Sequence, residues 1–258
     1  MRNPLAEVFN RIQQSGYHNH RGTSHSDLFS DRIVADLQRL CQPFRDDYTK
    51  DVVRVWRNVK GPDERHVDLL IAAPGAGKRP NLDQIRIVIE HKSVITAHRN
   101  RNARFQDIDR GIRATHAKDP RTIVVATLLV GLGPRYLNVA DQVKKACKHR
   151  KLNFNSKILP RLSTGDQRLW TDFDDCVSPN EPGDARDTIK MFKTLPVRLL
   201  SNTHEEALDF LLIIPVRINN VDAPQLGRVR GINAQADFKR MINHICKAYA
   251  TRRPAWGP

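Results

Sequence analysis

The sequence predicts an α/β fold in which a mixed central sheet is flanked by helices and followed by a C-terminal helical elaboration. Three observations predict it: an amphipathic stripe near the start, a series of strand patterns behind it, and a run in mid-chain that is apolar on both faces. The stripe consists of Phe29, Ile33, Leu37, Leu40 and Phe44, which recur at steps of three and four, as one face of a helix requires. Ser26 is a good cap for its start, and Pro43 limits its end.

Three strands follow. Val52-Val53-Arg54-Val55-Trp56 is β-branched and aromatic; the turn-rich Lys60-Gly61-Pro62-Asp63 leads to a second strand over His66 to Ala72. A loop holding Pro74, Gly75, Gly77 and Pro80 leads to a third, from about Gln84 to Val94. Arg99 to Ala117 is expected to be a helix with Phe105, Ile108 and Ile112 on one side, and Thr122 to Val130 a buried central strand. A basic helix is expected from Val139 to Lys151, a loop-rich stretch over 153–187, a helix near His204 to Leu212, and a last helix near Gln235 to Tyr249. Without a clean linker, the expectation is one domain over 1–258, with a core at about 27–130 and a basic elaboration at about 131–258.

Composition narrows the partners. The 258 residues carry 43 Lys plus Arg against 28 Asp plus Glu, a formal charge of +15, and 40% of them are apolar, which excludes a disordered chain. The excess is spread evenly, +7 over residues 1–130 and +8 over 131–258, so the body itself is basic and a polyanion is its expected partner. The first residues lack the apolar stretch of a secretory signal, and no run approaches the ~20 apolar residues that span a bilayer. Cys41, Cys147, Cys176 and Cys246 form no CxxC pair, so isolated free thiols in a reducing cytoplasm, with no membrane contact, are the expectation.

The chemistry-bearing residues sit inside strands. Glu90 and Lys92 share one face of the third strand, with His91 opposite, and Asp68 lies in the middle of the second, Val67-Asp68-Leu69-Leu70-Ile71. Charges placed within otherwise buried strands are costly unless paired or bound to a metal. Two carboxylates on adjacent strands, with the His91 backbone carbonyl as a third oxygen, suit Mg²⁺, which prefers hard oxygen ligands and keeps waters and substrate phosphate for the rest. Lys92 would then orient the attacking water and steady the transition state of phosphodiester hydrolysis. A solvated ion pair at a strand edge is the alternative. A second acidic-x-Lys triplet, Asp237-Phe238-Lys239, lies in a helical pattern, where i and i+2 do not share a face.

Asp68, a 21-residue gap and then Glu90-His91-Lys92 at the end of an apolar strand resemble the signature of the PD-(D/E)xK nuclease superfamily, which includes type II restriction endonucleases, Holliday-junction resolvases and recombination exonucleases. The resemblance covers about half the chain, and its common core of helix, three-stranded meander, helix and strand is the order read for residues 27–130. Val67 stands where the family's name has proline. The resemblance implies a Mg²⁺-dependent endonuclease of double-stranded DNA, here a sequence-specific type II restriction enzyme, with Asp68, Glu90 and Lys92 catalytic. It also implies a further carboxylate from the first helix, for which Asp31 is chosen over Asp27 and Asp36, and matches Gln106 to a glutamine that some members place near the metal. A palindromic site would call for a homodimer. A repair or recombination nuclease that reads DNA structure, or a non-catalytic nucleic-acid binder, are the alternatives.

Further basic residues are candidate DNA contacts: Lys78 and Arg79 in the loop after the second strand, Lys144, Lys145, Lys148, Arg150 and Lys151 on the basic helix, and Arg228 and Arg230 in a glycine-flanked loop expected to be flexible. Ala73 to Arg79 lacks the first glycine and the Ser or Thr of a phosphate-binding loop and is expected to connect strands; His18-Asn19-His20 is expected to be a solvated loop.

Overall fold

The computed structural model describes residues 4–14, 24–95, 98–133, 135–137, 145, 147–158, 161, 177–200, 202, 206–218 and 225–257. In chain order its main elements are α1 (Pro4–Gln14), α2 (Ser24–Leu40), α3 (Gln42–Thr49), β1 (Arg54–Lys60), β2 (His66–Pro74), β3 (Pro80–Val94), α4 (Arg101–Lys118) and β4 (Ile123–Gly131). They are followed by β5 (Arg135–Leu137), β6 (Val177–Pro179), α5 (Asp184–Phe192), β7 (Phe210–Arg217), β8 (Gln225–Leu226) and α6 (Ala234–Arg252). The main sheet has six strands in the order β1-β2-β3-β4-β7-β8, and β5 and β6 pair separately. β1, β2 and β3 form an antiparallel meander, β3, β4 and β7 run parallel, and β8 returns antiparallel. This is the mixed α/β sheet that the sequence predicts.

Alternation along the strands sorts the core onto two faces. Leu69, Ile71, Ile87, Ile89, Val125 and Leu212 pack against α2 and α6, whereas Val124, Ala126, Leu128 and Ile213 pack against α4 and α5. The β1–β2 turn is tight: Gly61 N–H donates to the Arg65 carbonyl at 2.7 Å, and a Cβ on Gly61 would lie 2.7 Å from Val67. Glycine fits there for want of space.

Several expectations are corrected. The helix expected through Phe44 is two helices that break at Cys41, and Pro43 sits in the first turn of α3, where its missing N–H costs nothing. The helix expected near His204 to Leu212 gives way to β7, whose run is buried between β4 and the helices on both faces. Cys41 and Cys246 are not free thiols but a disulfide, with Cα atoms 5.3 Å apart and 205 residues between them. The cysteine argument for a reducing compartment falls with that pairing. Cys147 is free and buried; Cys176 lies outside the described residues. In the segment of Arg228 and Arg230, Gly227 N–H donates to Pro215 O at 2.8 Å, a Cβ there would collide with Leu132, and Val229 bridges to Ile232 across Gly231 at φ 75°. Among the described residues no helix is long and apolar enough to cross a membrane.

One polar network lies inside the core. Asp209 is fully buried and accepts from Arg198 at 2.9 Å, from Arg252, and from Val124 N–H at 2.9 Å, tying β7 to β4 and α6. Burial alone would raise the Asp209 carboxyl, but the hydrogen bonds and charges of Arg252 and Arg198 hold it below the usual range. His116 lies beside the network with Nε2 3.2 Å from the Thr122 carbonyl; burial first, and then the Arg198 charge, push its pKa down to about 4. The unfolded chain therefore takes up a proton between about pH 6.5 and 4 that the folded chain refuses. The stability this neutral imidazole preserves is complete above that window and falls with pH through it, by on the order of 2 kcal/mol at pH 5. Urea unfolding at pH 7 and pH 5 is expected to show a smaller pH loss for His116→Gln than for wild type; equal losses would contradict this origin.

Candidate active site

The register of the β2–β3 pair builds the site. Leu69 pairs with Ile89 and Leu70 with Val88, so the same register sets Asp68 opposite Glu90. Residues directly opposite in an antiparallel pair share a face. Asp68 Oδ2 accepts the His91 backbone N–H at 2.8 Å, and Lys92 Nζ donates to Glu90 Oε2 at 2.7 Å. Glu90, His91 and Lys92 lie beside Ala126, Thr127 and Leu128 of β4, so the three-residue motif is held between two strands. The sequence-predicted trio of Asp68, Glu90 and Lys92 is thus brought together.

Burial dominates the electrostatics of Glu90. Glu90 is 8% exposed, and burial pushes its carboxyl up to about 7; the Lys92 ammonium offsets part of this, while Asp68 adds repulsion. Arg65, at the approach to β2, also draws Glu90 down electrostatically and binds Asp63 Oδ2 at 2.5 Å and Asp107 Oδ1 at 3.0 Å, linking β2 to α4. Sequence reasoning missed Arg65 and Asp107, because their partnership spans 42 residues and neither lies in a motif.

His91 faces the other side of β3, as alternation requires. Its Nε2 is 3.1 Å from Ser30 Oγ on α2, its Nδ1 is 2.7 Å from Thr127 Oγ1 on β4, and its ring lies 5.8 Å from that of Phe29. Burial pushes this imidazole down to about 4, so it is neutral at pH 7. The clamp on its ring fixes the backbone whose N–H holds Asp68 and whose neighbours are Glu90 and Lys92.

Asp31 is half exposed, and its carboxylate pairs with Arg57 of β1 at 2.6 Å. Asp36 is buried but pairs with Arg32 and Arg39. Gln106 is exposed on α4, whose Ile108 and Ile112 face the sheet. Arg79 is exposed just after the short turn Ala76–Lys78 that connects β2 to β3, as expected of a strand connection. Lys145, Lys148, Arg150, Lys151, Arg228 and Arg230 are exposed. Lys144 and His18 to His20 lie outside the described residues. Asp237 is in α6, paired with Arg240, as its helical pattern required.

Asp68 and Glu90 are the residues on which a metal ion would be held. Among the described residues no cluster of three or more acidic, His or Cys side chains converges. Asp68 and Glu90 nonetheless offer two hard carboxylates, one of them buried and paired with Lys92, and Mg²⁺ commonly takes one or two protein carboxylates. No protein-family model, curated protein or solved structure matches the chain.

Proposed function

We propose that this protein is a Mg²⁺-dependent endonuclease of double-stranded DNA, similar to the PD-(D/E)xK enzymes. The observation that carries the reading is the placement of Asp68 opposite Glu90 with Lys92 Nζ 2.7 Å from Glu90. Asp68 and Glu90 hold the metal, with the His91 carbonyl as a third oxygen. When bound, Mg²⁺ neutralises charge on the phosphoryl oxygens and makes water a better nucleophile. The His91 N–H keeps one Asp68 oxygen in place, leaving the other for the ion. Lys92, on the face of Glu90, positions water and donates to the developing negative charge. The basic body supplies phosphate contacts. A sequence-specific restriction enzyme acting as a two-fold dimer on a palindrome is the particular form proposed.

One observation favours a second reading, a nucleic-acid binder without catalysis: Lys92 already supplies Glu90 with a cation. Incubation with supercoiled plasmid and Mg²⁺, followed by sequencing of the fragment ends, separates the two. The nuclease reading expects linear products with a common end sequence that are absent in EDTA; intact plasmid with Mg²⁺ would leave the binder.

A further inference from the structure

A second site lies on the opposite face of β3, where a cavity of about 470 Å³ is lined by Asp47, Lys50, Arg86, Arg253, Trp256 and neighbouring apolar residues. Arg86 sits at a bulge in β3: Ala72 pairs with Ile85 and Ile71 with Ile87, so Arg86 is the extra residue. Bulges re-aim side chains, and this one turns Arg86 onto the C-terminal turn Arg253–Trp256. Its guanidinium lies 4.9 Å from the Trp256 ring centroid and donates to the Trp256 carbonyl at 3.2 Å.

The charge of Arg86 is poorly compensated. The side chain is 4% exposed, and among the described residues no carboxylate lies within ion-pair distance of it. The acids whose charge acts on it are committed elsewhere: Asp47 to Arg253 and the Tyr249 hydroxyl, Asp119 to Arg121. Burial weakens the hold of Arg86 on its proton, the direction expected of a cation that lacks a counter-charge. The buried Trp256 indole N–H has no partner among the described residues. Three cations against one carboxylate leave the lining with an excess that suits a dianion. Guanidinium groups match phosphate oxygens in geometry. The volume exceeds that of a bare oxyanion and lies in the range of small-ligand sites.

We propose that this cavity binds a phosphate monoester of nucleotide size, with Arg86 and Lys50 on the phosphate. The inference is independent of the nuclease reading. A free mononucleotide and the 5′-phosphate of a DNA end share this chemistry, and titration separates them.

The test is calorimetric titration of wild type, Lys50→Glu, Arg86→Met and Asp68→Ala with adenosine 5′-monophosphate, with adenosine, and with a duplex carrying or lacking a 5′-phosphate. Wild type and Asp68→Ala are expected to prefer the phosphorylated member of at least one pair. Lys50→Glu and Arg86→Met should lose roughly 10-fold or more for that member, the effect of removing one charge-assisted contact. Preference within the first pair identifies a free nucleotide, and preference confined to the duplexes identifies a DNA end. Lys50 is exposed, so Lys50→Glu decides alone if Arg86→Met does not fold. No preference in wild type, or a preference that Lys50→Glu retains, overturns the proposal.

Discussion

Alanine at Asp68, Glu90 or Lys92 is expected to lower DNA cleavage at least ~100-fold in each case, about 2.7 kcal/mol of barrier, with the fold retained. The three losses should differ in kind. Asp68→Ala and Glu90→Ala would each remove a proposed metal oxygen, so they should abolish Mg²⁺ binding along with activity. Lys92→Ala should still bind the ion, because both carboxylates remain and Glu90 loses only the ammonium at 2.7 Å. Glu90→Gln keeps the shape of the buried side chain and checks that lost activity is not lost structure. Single-turnover cleavage, with circular dichroism for the fold, measures this. Wild-type rates in any of the three alanine variants would remove that residue from the site.

The largest expected loss of stability comes from Asp209, which takes no part in the proposed chemistry. Asp209→Ala leaves Arg198 and Arg252, 2% and 3% exposed, without the carboxylate between them. Removing one partner of a buried ion network typically costs about 3–5 kcal/mol, because the remaining charges are desolvated and uncompensated. That is a large share of the stability of an ordinary domain. Urea unfolding should show the midpoint falling sharply with little change in slope. A loss below about 1 kcal/mol would mean that water reaches the guanidinium groups and the network is dispensable.

Much of this architecture was legible in the residues, for stated physical reasons. α2, β3, α4 and β4 carry clear periods or runs with polar flanks, and strand alternation alone placed Glu90 and Lys92 on one face with His91 on the other. What escaped was non-local or ambiguous. Phe210 to Val216 is apolar on both faces and contains Pro215, which argues against a strand, yet β7 is buried beside β4. α1 carries only a short stripe, Leu5, Val8 and Phe9, although all three are buried in the core. The Cys41–Cys246 bridge, the Ser30–His91–Thr127 clamp and the Arg65–Asp107 link join distant segments, and no local pattern marks such partners. Asp31 shows the converse limit: a helix carboxylate selected by resemblance pairs with Arg57.

The central claim, that Asp68 and Glu90 together hold a divalent ion, is tested most directly by thermal melting against metal concentration. An ion that binds the folded chain stabilises it in proportion to the logarithm of its concentration above Kd. Ca²⁺, with the same preference for oxygen but looser geometry, should occupy the same carboxylates while supporting little or no cleavage. The account predicts a melting temperature that rises with Mg²⁺ and with Ca²⁺ in wild type and stays level in the Asp68→Ala/Glu90→Ala double variant. An equal rise in the double variant would contradict it and place the ion elsewhere.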